Sequence, residues 1–228
     1  MKSADNHFSE NWLRSLEKRL LKILQKKISK RKDPSHDYYH AYRVLCLAKE
    51  IAVKEGADLE IIIPAAIFHD VIVYPKNSSK SVLSAKHSSL LAAQILRSIS
   101  HYPVNKISKV AQAIKEHSFS LGLKCSSIES KVLHDADKLE SSGAICIMRG
   151  FSSAGLMNKI LLHPTDPFCK FRKPDDLKYA LDLYIHRCLK MPQQLYTQTA
   201  KKLIKPRHKF LKLFLKQVEL ELRQFRVW

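Results

Sequence analysis

The sequence predicts an all-α fold, and three observations carry that expectation. Apolar residues recur at spacings of three and four along most of the chain, the period of a helix with one buried face. The 228 residues include only 5 glycines, too few for a sheet-rich fold built on tight turns. Pro, Gly and Asp/Asn/Ser clusters fall between segments of helical length. With 45% apolar residues the chain can bury a real core. Its length fits one generous domain, with a bundle over about residues 30–150 and C-terminal helices over about 175–225 packed on it.

The elements follow in order. Residues 8–31 carry Trp12, Leu16, Leu20, Ile23 and Leu24 at helical spacing, with basic residues between them. Asp33-Pro34-Ser35 breaks the pattern. A second helix is expected from Asp37, its N-cap, to Glu55, with Gly56 as the stop. A third spans Asp58–Asp70, where Pro64 marks either a kink or the true first turn. After the loop Tyr74–Lys80, helices are expected over Ser84–Ile99, Asn105–Ser118 and Ser127–Ser141. Residues 150–174, with Gly150, Gly155, Pro164, Pro167 and Pro174, read as irregular, with a short strand pair as the alternative. A seventh helix is expected over Asp175–Lys190, and a last helical stretch over 194–225, interrupted at Pro206. Leu211, Phe214, Leu215, Val218 and Leu222 form its apolar stripe.

Five widely spaced cysteines without a C-x-x-C pair argue against a zinc ribbon or a disulfide framework. There is no apolar signal core and no apolar run of transmembrane length. A cytoplasmic protein is the expectation. The net charge is +19. Residues 18–32 hold eight Lys/Arg and no acid, and residues 183–218 hold nine and no acid. Such basic helices attract polyanions, although a solvated helix face is the plainer reading.

His36-Asp37, His69-Asp70 and His134-Asp135 are more His-Asp pairs than chance pairing of 11 His and 11 Asp gives. Context separates them. His40 shares a helical stripe with Val44, Leu47 and Ile51, and so faces inward. His69 ends the apolar run IIIPAAIF, with Asp70 directly after it. Asp137 lies four residues from Leu133, with Asp135 and His134 beside it. One inward histidine is ordinarily a satisfied core residue. Several inward His and Asp residues on separate helices must be paired or bound, and a shared cation satisfies them together.

This ordered H…HD…D set resembles the HD-domain metal-dependent phosphohydrolase superfamily. It is similar in particular to small bacterial HD proteins that include nucleotide pyrophosphohydrolases. Lys76-Asn77, Ala85–Ser88, His117–Ser120 and Asp135–Glu140 match further segments of that branch. The resemblance implies a helical bundle holding a divalent cation (Mn²⁺, Mg²⁺, Fe²⁺, Ni²⁺ or Zn²⁺) through His40, His69, Asp70 and Asp137. Asp137 is selected over Asp135 by the superfamily's A-D-[KR]-L pattern; the residues alone leave both open. A cation so held activates water for attack on phosphorus.

Lys76 is the first candidate for phosphate charge, with His87 and His117 for phosphate contact, proton transfer or a second metal. Asp37, Asn77, Asp135 and Glu140 are candidates to support the ligands from behind. The expected partner is a nucleotide or another phosphorylated small molecule. The alternatives are a catalytically silent module binding nucleic acid or a protein, and a di-iron site using His87 and His117.

Overall fold

The computed structural model describes residues 2–31, 33–75, 78–118 and 122–225. Among these residues it is all-α, with nine helices and no strand. They are α1 (Lys2–Ile28), α2 (Tyr38–Glu55), α3 (Leu59–Phe68), α4 (Ser84–Arg97), α5 (Val104–His117), α6 (Ile128–Glu140), α7 (Gly143–Leu156), α8 (Asp182–His186) and α9 (Gln198–Gln224). No described helix is long and apolar enough to cross a membrane. The chain divides into two compact units, Met1–Lys32 with His36–Asp137, and Asp33–Ser35 with Lys138–Trp228. The division falls inside α6.

The first unit is built around α3, which packs against α1, α2, α4 and α5. Every residue from Ile61 to Phe68 is buried, so this helix is apolar all round, as a central helix must be. Asp58 caps it by accepting from Glu60 N at 2.9 Å. Pro64 sits in its sixth position, inside the helix rather than in a first turn. A proline there lacks the N–H that would bond the carbonyl four residues back. That carbonyl, Glu60 O, instead accepts the Tyr102 hydroxyl at 2.8 Å. The helix therefore continues through Pro64 because a side chain replaces the missing donor.

The α2 boundaries match the sequence expectation at both ends. The Asp37 carboxylate accepts from His40 N at 2.7 Å. Gly56 stops the helix at φ 73°, a left-handed position that glycine occupies without strain.

The second unit departs from the expected pattern. Residues 143–156 form α7 although they hold three of the five glycines. Tertiary packing overrides propensity here. An ideal Cβ at Gly150 would lie 2.1 Å from the Tyr184 hydroxyl, so the glycine lets a fully buried tyrosine seat against the helix. The ring of Tyr184 meets Phe151 at 5.2 Å and Phe214 at 6.4 Å. The predicted seventh helix shrinks to α8 plus a 3-10 turn at Cys188–Gln194. The carboxylate of Asp182, at the start of α8, accepts two bonds from Arg172 at 2.5 and 2.7 Å and Asp175 N at 2.7 Å. The residues before α8 are thereby held in a loop. The strand pair reduces to a single parallel bridge, Ile160–Tyr179. Pro206 does not interrupt α9, which runs unbroken over 27 residues. Pro206 is exposed, so the carbonyl it leaves without a helical donor can bond water.

Candidate metal centre

Three helix ends and one helix interior of the first unit bring the His/Asp cluster together. His40 is the third residue of α2, with its first turn fixed by the Asp37 cap. Its side chain is 2% exposed. His69 follows α3 directly, and His117 is the last residue of α5. These two histidines use one device. The Nδ1–H of His69 donates to Ala66 O at 2.8 Å, and that of His117 donates to Ile114 O at 2.5 Å. Each acceptor is a last-turn carbonyl that the helix leaves unbonded. A carbonyl only accepts, so the proton must sit on Nδ1, and Nε2 carries the lone pair a cation needs.

The donor atoms are close enough to share one ion. His40 Nε2 lies 3.1 Å from His69 Nε2, 3.8 Å from Asp70 Oδ2 and 3.9 Å from Asp137 Oδ1. His69 Nε2 is 3.6 Å from Asp70 Oδ2. Ligand bonds of about 2.0–2.2 Å place donor pairs roughly 3.0 Å apart at right angles and 4.2 Å apart across the ion. The observed separations all fall between those limits. Two overlapping groups have donor atoms within 4.8 Å of one another among the described residues: His40, His69 and Asp137, and His69, Asp70 and His117. The His69 and His117 rings are 5.2 Å apart, edge to face.

The electrostatics follow from burial against mutual attraction. Burial pushes His69 down to about 4, with Asp70 opposing and His40 reinforcing the shift. Burial alone would raise Asp70. His69, His40, His36 and His117 together outweigh it and hold that carboxyl well below the usual range. The same balance, led by burial and overcome by His69, His40 and His117, leaves Asp137 at about 2. At neutral pH the arrangement is two carboxylates beside a neutral His69. Asp70 and Asp137 remain 22% and 27% exposed at the side chain, so the cluster opens toward solvent on its carboxylate side.

The other expected residues distribute as follows. Asp37 caps α2. On α6, two residues turn the helix by about 200°, so Asp135 and Asp137 cannot face the same point. Asp135, fully buried, accepts from His134 Nδ1 at 3.0 Å, and His134 is buried with it. Glu140 is buried and paired with Arg149 in the second unit, and Arg149 Nε also donates to Ser35 O at 2.8 Å. His87 Nδ1 meets the Tyr74 hydroxyl at 2.9 Å. Lys76 and Asn77 lie outside the described residues, as do Phe119 and Ser120.

Two neighbours were not singled out in the sequence. His36 Nε2 lies 3.8 Å from Asp70 Oδ2, and its ring stands edge-on to His40 at 5.6 Å. Arg31 donates to three backbone carbonyls, His36 O at 2.6 Å, Asp70 O at 3.0 Å and Val71 O at 2.8 Å. It clamps the turn before α2 to the turn that carries Asp70. In the sequence Arg31 is one of eight basic residues in a run, and nothing local marks it. His36 does carry a signal, since it belongs to a His-Asp pair four residues before His40.

Known proteins supply a family. The sequence model of the HD domain matches residues 37–142, the span from the α2 cap to just beyond α6. The chain is 30% identical over 193 residues to YpgQ of Bacillus subtilis (strain 168), covering 82% of this chain and 84% of that protein. The crystal structure of Bacillus subtilis YpgQ in complex with ADP matches with a TM-score of 0.67 at 28% identity, covering 90% of this chain and 97% of that one. An HD-superfamily hydrolase from Bacillus thuringiensis matches with a TM-score of 0.67 at 26% identity, over 92% and 98% of the two chains. The chain belongs to the HD-domain family, among the small bacterial proteins of the YpgQ kind.

Proposed function

We propose that this chain is a divalent-metal-dependent phosphohydrolase that cleaves a phosphate ester or phosphoanhydride of a nucleotide-like substrate. The observation that carries the proposal is the cluster itself: buried imidazole nitrogens and two ionised carboxylates at 3.1–3.9 Å, in a mutual geometry that fits one cation. HD domains bind divalent cations. The HD-superfamily hydrolase of Bacillus thuringiensis supports hydrolysis, and the ADP complex of Bacillus subtilis YpgQ supports a nucleoside polyphosphate as ligand.

In this reading His40, His69, Asp70 and Asp137 hold the cation. Bound there, it supplies Lewis acidity, acidifying water and offsetting charge on the phosphoryl oxygens. The chain's own groups do the rest. The His69 and His117 rings are fixed by their Nδ1 bonds, so His117 Nε2, which carries the lone pair, is held ready as a further ligand. Arg31 keeps the Asp70 carboxylate in register by holding its backbone. Lys76, beside Asn77, supplies positive charge for a phosphate, and His87 with Tyr74 offers a hydrogen-bonding pair for the leaving group. Asp135 fixes the His134 ring within α6.

The test is a metal and substrate screen on the full chain after chelation. Each of Mn²⁺, Mg²⁺, Ni²⁺, Zn²⁺ and Fe²⁺ is restored separately, with nucleoside mono-, di- and triphosphates as substrates. Phosphate and pyrophosphate are quantified separately to identify the bond cleaved. Turnover that needs the metal and disappears in His69→Ala and Asp137→Ala is expected. Absence of turnover with every metal, or turnover unchanged in both variants, would overturn the proposal.

A further inference from the structure

The longest helix of the second unit carries a row of charge that the cluster above does not use. Lys202, Lys205, Lys209, Lys212 and Lys216 of α9 are spaced 3, 4, 3 and 4 residues apart. At about 100° per residue, that spacing keeps all five within an arc of roughly 80° on one face. All five are exposed. None enters an ion pair among the described residues, and no acid occurs in residues 183–218. The row ends where Glu219 begins, its carboxylate already bonded to Lys170 and Arg223 at 2.9 Å each. Along the axis it covers about 21 Å at 1.5 Å per residue.

Lysines in such a row repel one another, and among the described residues none of the five is ion-paired to a carboxylate. The nearby His208 imidazole is held below its usual value, first by burial and then by the Lys212 ammonium. A partner that supplies evenly spaced negative charge along a line removes the repulsion and releases its own counterions.

We propose that the exposed face of α9 is a sequence-independent binding surface for duplex nucleic acid, with the five lysines lying along the phosphate backbone. An anionic membrane is the other polyanion of this length, and the structure disfavours it. A helix that lies in a membrane sinks its apolar face among the lipids. The main apolar stripe of α9, with Ala200, Ile204, Leu211 and Leu215, is already buried in the protein, which leaves Phe210, Leu213 and Leu220 as exposed apolar residues near the row, short of a continuous lipid-facing stripe. Phosphate contacts need only the lysine tips. The row carries no arginine fork to grip base edges, which leaves backbone recognition.

The experiment is fluorescence anisotropy of the full chain with labelled duplex DNA and duplex RNA of about 20 base pairs, from about 50 to 200 mM salt. The comparison variants are K205Q/K209Q/K212Q and a control of equal charge change on exposed positions of α1, K18Q/K22Q/K26Q. Each phosphate contact contributes about −0.9 to the slope of log K against log salt, so the α9 triple should flatten the slope by about 2.7 and weaken binding at least tenfold at 0.1 M salt. The α1 control should keep most of the affinity, and both triples should keep the wild-type Tm. Equal losses in the two triples mean attraction by net charge alone and overturn the proposal. So does binding to phosphatidylglycerol vesicles without binding to either duplex, or an α9 triple with wild-type slope.

Discussion

The Tyr102–Glu60 bond offers a test of why α3 survives its proline. The perturbation is Tyr102→Phe, which removes one hydroxyl and leaves a ring of nearly the same shape. Tyr102 is 4% exposed, and its phenol is pushed above its ordinary value by burial first and then by the Glu60 and Asp58 charges. It therefore remains a donor through neutral and alkaline pH. Losing it leaves Glu60 O without the helical donor that Pro64 cannot provide. An unsatisfied buried group costs about 1–3 kcal/mol, and a partly buried carbonyl belongs in the lower half, about 1–2 kcal/mol. For a chain of this size that lowers Tm by about 2–8 °C. The decisive arm is the double-mutant cycle with Pro64→Ala. Alanine restores an N–H four residues after Glu60, so in that background Tyr102→Phe should cost less than about 0.5 kcal/mol. Urea unfolding followed by circular dichroism measures all four corners. Equal cost of Tyr102→Phe in the native background and in the Pro64→Ala background refutes the substitution of one donor for the other.

Further outcomes are expected. Arg31→Met should leave the helical circular dichroism intact and weaken Mn²⁺ binding about 10–100-fold by calorimetry, the usual effect of losing a group that orients a ligand; unchanged affinity would remove Arg31 from the site. In metal-free protein, His69 has its folded pKa below its unfolded one, so the unfolded state binds more protons between them. Stability is then complete above about pH 6.5 and falls by about 3 kcal/mol as pH drops to about 4, where it levels off. The depressed carboxylates act in a lower window. Their contribution is present above about pH 4 and lost as pH falls through about 2 for Asp137. Urea midpoints at pH 7, 5.5 and 4 check the first window, and a flat profile there contradicts a buried neutral His69. Gly150→Ala should cost about 1–3 kcal/mol, because its Cβ displaces Tyr184. Tyr184→Phe should recover part of that loss, and full additivity of the two changes by thermal melting would contradict the contact.

Legibility varied with how local the determinants were. The helices α2 to α6 were readable because their period, caps and stops are encoded within each segment, as with Asp37 and Gly56. The ordered His40, His69-Asp70, Asp137 set was readable because its residues fall at recognisable places on those helices. Asp135 and Asp137 were not separable from neighbouring apolar positions alone, yet the helical turn sets their side chains apart once the partners are placed. The helix α7 was missed because its glycines signal a loop locally, while contact with Tyr184, distant in sequence, makes Gly150 useful. The continuity of α9 through Pro206 and of α3 through Pro64 depended on what meets the released carbonyl, which no local pattern records. Arg31 was invisible for the same reason: its three acceptors lie up to 40 residues away.

The Nδ1 bonds of His69 and His117 have a consequence for assembly of the centre. Both rings are anchored to their own helices, through carbonyls three residues back, so their aim does not depend on an ion. A zinc finger must collect its ligands from an unfolded chain, and its metal affinity is spent on folding. Here these two rings stand preorganised by helix formation itself. Chelation should leave a folded protein that takes up metal again without a refolding phase, and different cations should exchange at the site at rates set by solvent access rather than by chain rearrangement.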